Sequence, residues 1–230
     1  MFPKEALQFL RGLKKNNNRD WFKARKDIYD EHVKAPMLAL IDEINKALVK
    51  LEPGFITEPK KAMFRIYRDT RFSHDKTPYK TNASALFSRK QLDKLGGGVL
   101  YISISPKEVM IGSGSYMPGP TELLVIRQHL AENHKQFRKI LGKRELRGEE
   151  LQRPPKGFAA DHPAIDLIRK KQWLLHTTLP AEAALDKNFS KEVIREIRLM
   201  IPFVGFLNAP MLARAGKARD PLIDAPGREW

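Results

Sequence analysis

The hydrophobic period of this chain changes twice along its length, and that change limits what the chain can fold into. From Trp21 to Leu51, apolar residues recur at steps of three and four: Trp21, Ile28, Tyr29, Val33, Met37, Leu40, Ile41, Ile44, Leu48 and Leu51. That spacing lays one apolar stripe along a helix. Ala6, Phe9, Leu10 and Leu13 do the same in an earlier segment. Between residues 62 and 114 the pattern shortens to brief apolar runs, AMFRIY (62–67), SALFS (84–88), GVLYISIS (98–105) and EVMIGSG (108–114), which read as strands. The helical step returns in residues 121–137 and again in 190–207. Such a chain reads as α+β. Its neighbouring strands form a mainly antiparallel sheet of four or five strands, packed by long N-terminal and C-terminal helices.

Local punctuation sets the expected boundaries. Pro3 suits a first helical turn. Asn16-Asn17-Asn18 breaks the first helix, since Asn favours turns and caps. Pro36 lies inside the long second stripe and predicts a kink or two abutting helices. Pro106-Lys107 reads as a hairpin turn, and Pro118-Gly119-Pro120 as a turn before a helix capped by Thr121. Residues 149–158 read as loop, QWLLHTTL (172–179) as a further strand, and Ser190 as the cap of a last helix that Pro202 kinks. No repeat and no long polar linker interrupts this order. One domain over residues 1–212 is therefore expected, followed by an extended or poorly ordered tail over 213–230.

Charge bears on partners rather than on fold. The chain has 230 residues with 42 Lys+Arg against 27 Asp+Glu, a formal net charge of +15. Residues 61–95 alone carry +6. A field of that sign attracts phosphates, nucleic acid or acidic lipid. The absence of cysteine excludes disulfides, thiolate metal sites and a Cys nucleophile. The N-terminal apolar stretch is too short and too interrupted for a signal peptide, and no run of about 18 apolar residues spans a membrane. The expectation is a cytoplasmic, bacterial-type protein with no membrane partner.

The densest chemistry lies in RIYRDTRFSHDKTPYKTN (65–82). Arg65, Arg68, Arg71, Lys76 and Lys80 supply five cations, Ser73 adds a donor, and Tyr67, Phe72 or Tyr79, with Tyr79 foremost, offers a ring on which a base can stack. One reading is a binding site for a phosphate-containing small molecule or nucleic acid. A second is a phosphate-handling enzyme in which Asp69 or Asp75 acts as base or holds Mg²⁺. A third is a salt-bridged scaffold with protein partners, in which the aspartates only orient the arginines. Gly112-Ser113-Gly114-Ser115-Tyr116 reads as a tight turn or as an anion cradle, and Arg153-Pro154-Pro155-Lys156-Gly157 as a stiff connection or a clamp. The histidines show no metal-ligand spacing, no GxSxG is present, and no cofactor is expected. Trp21 and Phe22 read as core.

In order and spacing, NNNRDWF (16–22), RDTRFSHDKTPYKTN (68–82), GGG (96–98), YMPGP (116–120), LQRPPKGF (151–158) and DHPAIDLIRKKQW (161–173) resemble domain-of-unknown-function family 2461. The resemblance runs from about Phe2 to Asn208. It implies a single domain, of a kind found in bacteria and some fungi, and supplies no mechanism, because the family has no assigned activity. His74 stands where the family pattern places Lys, so the resemblance implies no fixed charge there.

Overall fold

The computed structural model describes residues 1–92 and 96–217. Helix α1 (Lys4–Lys15) buries Ala6, Leu7, Phe9, Leu10 and Leu13. Glu5 in its first turn and Lys14 and Lys15 in its last match the helix dipole. Helix α2 (Arg19–Lys23) starts at Asn18, whose side chain accepts a bond from the Trp21 amide at 2.9 Å. That cap, with the break it marks, was legible in the Asn run. Beyond one turn (α3, Lys26–Ile28) the chain widens into a π-helical stretch, Tyr29–Lys34, and then enters α4 (Ala35–Leu51). The expected disturbance at Pro36 is thus taken up by the π-helical stretch. Pro36 itself falls in the first turn of α4, where its missing N–H is harmless.

A short helix, α5 (Pro59–Ala62), precedes the sheet. Strands β1 (Ala83–Phe87), β2 (Val99–Ile104) and β3 (Glu108–Ser115) follow, and β4 (Trp173–Pro180) completes the order β1-β2-β3-β4. β1 pairs antiparallel with β2, from Ala83 opposite Ile104 to Phe87 opposite Leu100. Every residue of β1 is buried, so neither of its faces meets water. The strand expected at 62–67 does not form. Met63 and Tyr67 make only isolated bridges, to Ala85 and Tyr79. Ala62 is already committed to α5, and the bridges of Met63 and Tyr67 go to two different segments, so no continuous ladder forms.

Helix α6 (Pro120–Leu141) begins after Gly119 rather than from a Thr121 cap, and its backbone departs from helical values at Asn133. One turn, α7 (Ile165–Ile168), leads towards β4. Helix α8 (Phe189–Lys217) contains Pro202 and Pro210. An interior proline costs about 3 kcal/mol. The buried Phe203, Val204, Leu207 and Met211 around these sites supply the burial that offsets this. The helix therefore continues through residues 213–217, where an extended tail was expected; the rest of that tail lies outside the described residues. By length and composition, Phe189–Gly216 is apolar enough to cross a membrane, and much of that apolar content is buried within the protein.

The described residues group into two compact units. The first takes in Met1–Phe87, Leu100–Gly112 and His176–Met200. The second takes in 88–92, 96–99, 113–175 and 201–217. Each is assembled from separated stretches of chain. In the first, Phe9 meets Phe22 and Tyr29 edge-on or tilted at 5.7–6.0 Å between ring centres. In the second, Phe137, Phe203, Phe206, Leu207 and Trp173 belong to one core cluster, and the Trp173 indole donates to the Leu167 carbonyl at 3.0 Å.

Candidate functional site

The basic segment 65–80 belongs to the first unit and forms a braced loop. Its two stems meet through backbone bonds, Arg68 N–H to the Pro78 carbonyl at 2.9 Å and Lys80 N–H to the Ile66 carbonyl at 2.7 Å. Asn17 closes the base: its side-chain amide donates to the Tyr79 carbonyl at 2.9 Å and its oxygen accepts from the Tyr79 N–H at 3.1 Å. A primary amide can mimic a neighbouring strand in this way because it carries both donor and acceptor. The Tyr79 ring lies stacked on Phe22, with centres 4.1 Å apart, and Tyr79 is only 5% exposed. The motifs around Asn17 and around Tyr79 are therefore one assembly.

Within the loop most cations already hold a partner. Arg68 donates to Asp75 and Thr77, and weakly to the Ser73 hydroxyl at 3.4 Å. Asp75 also accepts the Thr77 amide at 2.9 Å. Arg71 grips Asp69 in a fork, Nε at 3.0 Å and Nη2 at 2.7 Å, and its own amide closes on the same carboxylate at 3.2 Å. Lys76 donates to the Thr70 carbonyl at 3.0 Å. The Lys80 ammonium sits 4.9 Å from the centre of the Phe64 ring, and burial followed by the nearby Arg65 lowers its pKa. Arg65 is exposed and, among the described residues, makes no hydrogen bond or ion pair.

The hydrogen bonds from Arg71 hold the Asp69 carboxyl down at about 2, and those from Arg68 do the same for Asp75. Both aspartates are ionised and each is committed to a guanidinium, which suits bracing better than proton transfer or metal binding. Because both pKa values are depressed, the contribution of these pairs is present above the ordinary aspartate value of about 3.9 and is lost as pH falls through about 2. A carboxyl-carbon NMR titration of Asp75 is expected to show its midpoint near 2. An ordinary midpoint would mean that the Arg68 pair does not form in solution.

The seven residues marked out in the sequence are thus divided by the fold. Arg68 and Ser73 are brought together on the inside of the loop. Arg65, Arg71 and Lys76 face solvent, Lys80 is half-buried, and Tyr79 turns its ring into the protein. The most exposed ring of the segment is Phe72, at 94% exposure, with the Arg71 guanidinium 5.7 Å from its centre; Tyr67 is exposed by half. Nothing in the local pattern separated Phe72 from Tyr79, since both are aromatic residues amid charge.

The other candidate clusters lie elsewhere in the chain. Gly112 to Ser115 is strand β3 rather than a turn or cradle, and the Ser115 hydroxyl donates to the Gly96 carbonyl at 2.7 Å. Arg153 and Lys156 sit exposed in a loop. No group of three His, Asp or Glu side chains among the described residues is placed to hold a metal ion.

No curated protein matches this chain. Residues 5–206 match the model of the family described as "Conserved hypothetical protein (DUF2461)". That match spans most of the sequence and includes both Asn17 and the whole braced loop, and the chain belongs to that family of conserved proteins of unknown function.

Proposed function

We propose that this chain is a binding module for phosphate-bearing ligands, single-stranded nucleic acid foremost, and that the tip of loop 65–80 makes the contact. The observation that carries this reading is Phe72: a ring 94% exposed, beside Arg71, on a loop tied internally through Arg68. An exposed ring lets a base stack without sequence preference, while neighbouring Arg and Lys follow the phosphates. Arg65, Arg71 and Lys76 are the phosphate contacts. Arg68, Ser73, Lys80 and Tyr79 hold the loop in shape. The internal pairing of Arg68 and Arg71 with aspartates favours a second reading, in which the same tip docks on a protein partner with Phe72 as its anchor.

Fluorescence anisotropy with a labelled single-stranded oligonucleotide separates the two. With three phosphate contacts, log affinity is expected to fall against log salt with a slope of roughly −2. Phe72→Ala is expected to weaken binding by about five- to a hundredfold, the range of one base–aromatic stack. Binding that ignores both salt and Phe72→Ala would leave the protein-docking reading in its place.

A further inference from the structure

Arg127 stands out in the second unit because its charge meets no carboxylate among the described residues. It projects from α6, is only 9% exposed, and donates from Nε to the Ile168 carbonyl at 2.9 Å and from Nη2 to the Lys170 carbonyl at 3.1 Å. Those two bonds occupy the side-on edge of the guanidinium. The end-on edge, formed by Nη1 and the outer hydrogen of Nη2, has no partner among the described residues. Burial alone lowers the pKa of this group, with no neighbouring acid opposing it, and a guanidinium stays charged under these conditions. The nearest acid in sequence to its carbonyl partners, Asp166, is held by Arg138 at 2.7 Å, and Glu150 and Glu149 are held by Lys170 at 2.8 Å and Lys171 at 3.2 Å. Three of its five N–H donors remain for water or for an anion entering from solvent, and a charge this far buried gains most from an anion.

The open groove that Arg127 lines has a volume of about 470 Å³, within the range of small-molecule sites. Tyr116, Met117, Leu123 and Leu151 give it an apolar wall, and Lys171 stands at its edge. Tyr116 and Met117 are more than half exposed, so the wall is available to a ligand. The far side is held firmly: Leu151 N–H donates to the Arg169 carbonyl at 2.8 Å, and Arg169 Nε returns a bond to the Leu151 carbonyl at 2.7 Å.

We propose that this groove binds an amphipathic carboxylate, whose two oxygens take the free end-on edge of Arg127 while its hydrocarbon part lies along Met117, Leu123 and Leu151. The planar fork of arginine matches a carboxylate in two parallel bonds, and the apolar wall selects against small inorganic anions. This site is independent of loop 65–80.

The test uses the full chain with ¹³C-labelled methionine methyls, titrated with octanoate, octanamide and octyl phosphate. Octanoate is expected to shift the Met117 methyl saturably and leave the core Met37 methyl unmoved. Octanamide, which cannot accept in the same charged fork, is expected to bind at least about tenfold more weakly. Arg127→Lys is expected to lose a similar factor. Should that variant fail to fold, Tyr116→Glu at the exposed rim is expected to abolish the octanoate shift of the Met117 methyl by placing a like charge on the wall. Octanamide equal to octanoate would overturn the role of Arg127. Octyl phosphate binding as tightly as octanoate would overturn the carboxylate assignment, and no saturable shift with any probe would overturn the site.

Discussion

Gly114→Ala is expected to lower the melting temperature by about 8–16 °C or to prevent folding, as followed by circular dichroism and differential scanning calorimetry. Gly114 lies in β3 with φ at +135°, a conformation that L side chains rarely adopt. A Cβ built there would sit 1.9 Å from the Trp173 carbonyl oxygen and 3.0 Å from the Leu174 Cα. Both atoms are backbone of β4, so neither yields by rotating a side chain. The strand must shift or its pairing must open, and Trp173 beneath it is fully buried. Strain of this kind added to overpacking costs about 4 kcal/mol or more, and in a chain of this size each kcal/mol moves the melting point by about 2–4 °C. Gly205→Ala, in α8 with nothing within 4 Å of the added carbon, is the control. It is expected to raise stability by about 0.5–1 kcal/mol through helix propensity. Equal effects from the two variants would contradict this placement of β3 against β4.

Asn208→Ala is expected to be nearly as damaging, by about 3 kcal/mol or more and hence about 6–12 °C. Asn208 is fully buried in α8 and clasps one residue of backbone: the Gly98 N–H donates to its Oδ1 at 2.7 Å, and its Nδ2 donates to the Gly98 carbonyl at 3.0 Å. Truncation leaves a buried donor and a buried acceptor without partners, and each such group costs about 1–3 kcal/mol. Gly98 is required by the same contact, because a Cβ there would come within 2.8 Å of the Val204 side chain and 3.0 Å of Asn208 Oδ1. Hydrogen exchange reads the effect locally: the Gly98 amide is expected to lose protection in the variant well before the amides of α1. If Asn208→Ala melts like the parent protein, the clasp is not formed in solution.

The Asn run was visible in the sequence as a break, and its breaking role is real. What could not be read was that Asn17 and Asn208 are also partners of particular backbone groups, 62 and 110 residues away in the chain. A buried amide looks like any other polar residue until the group it must satisfy is located. The loop over 65–80 was likewise legible as a dense set of cations, with aspartates able to orient the arginines. The division into inner and outer residues was not. It depends on Phe22 stacking on Tyr79, which takes one aromatic ring into the core and leaves Phe72 outside.

The sequence by itself determined the α+β class, the four strands that form and the main helices, because hydrophobic period is a local property that each segment carries with it. It also determined the family, through motifs whose order and spacing survive without coordinates. Only the tertiary structure decided that 62–67 is not a strand, that α8 runs past its prolines to Lys217, and that Arg127 is a buried cation facing a groove. These outcomes rest on which distant groups share a burial site. Desolvation there makes every donor, acceptor and charge answerable to its neighbours in space rather than in sequence.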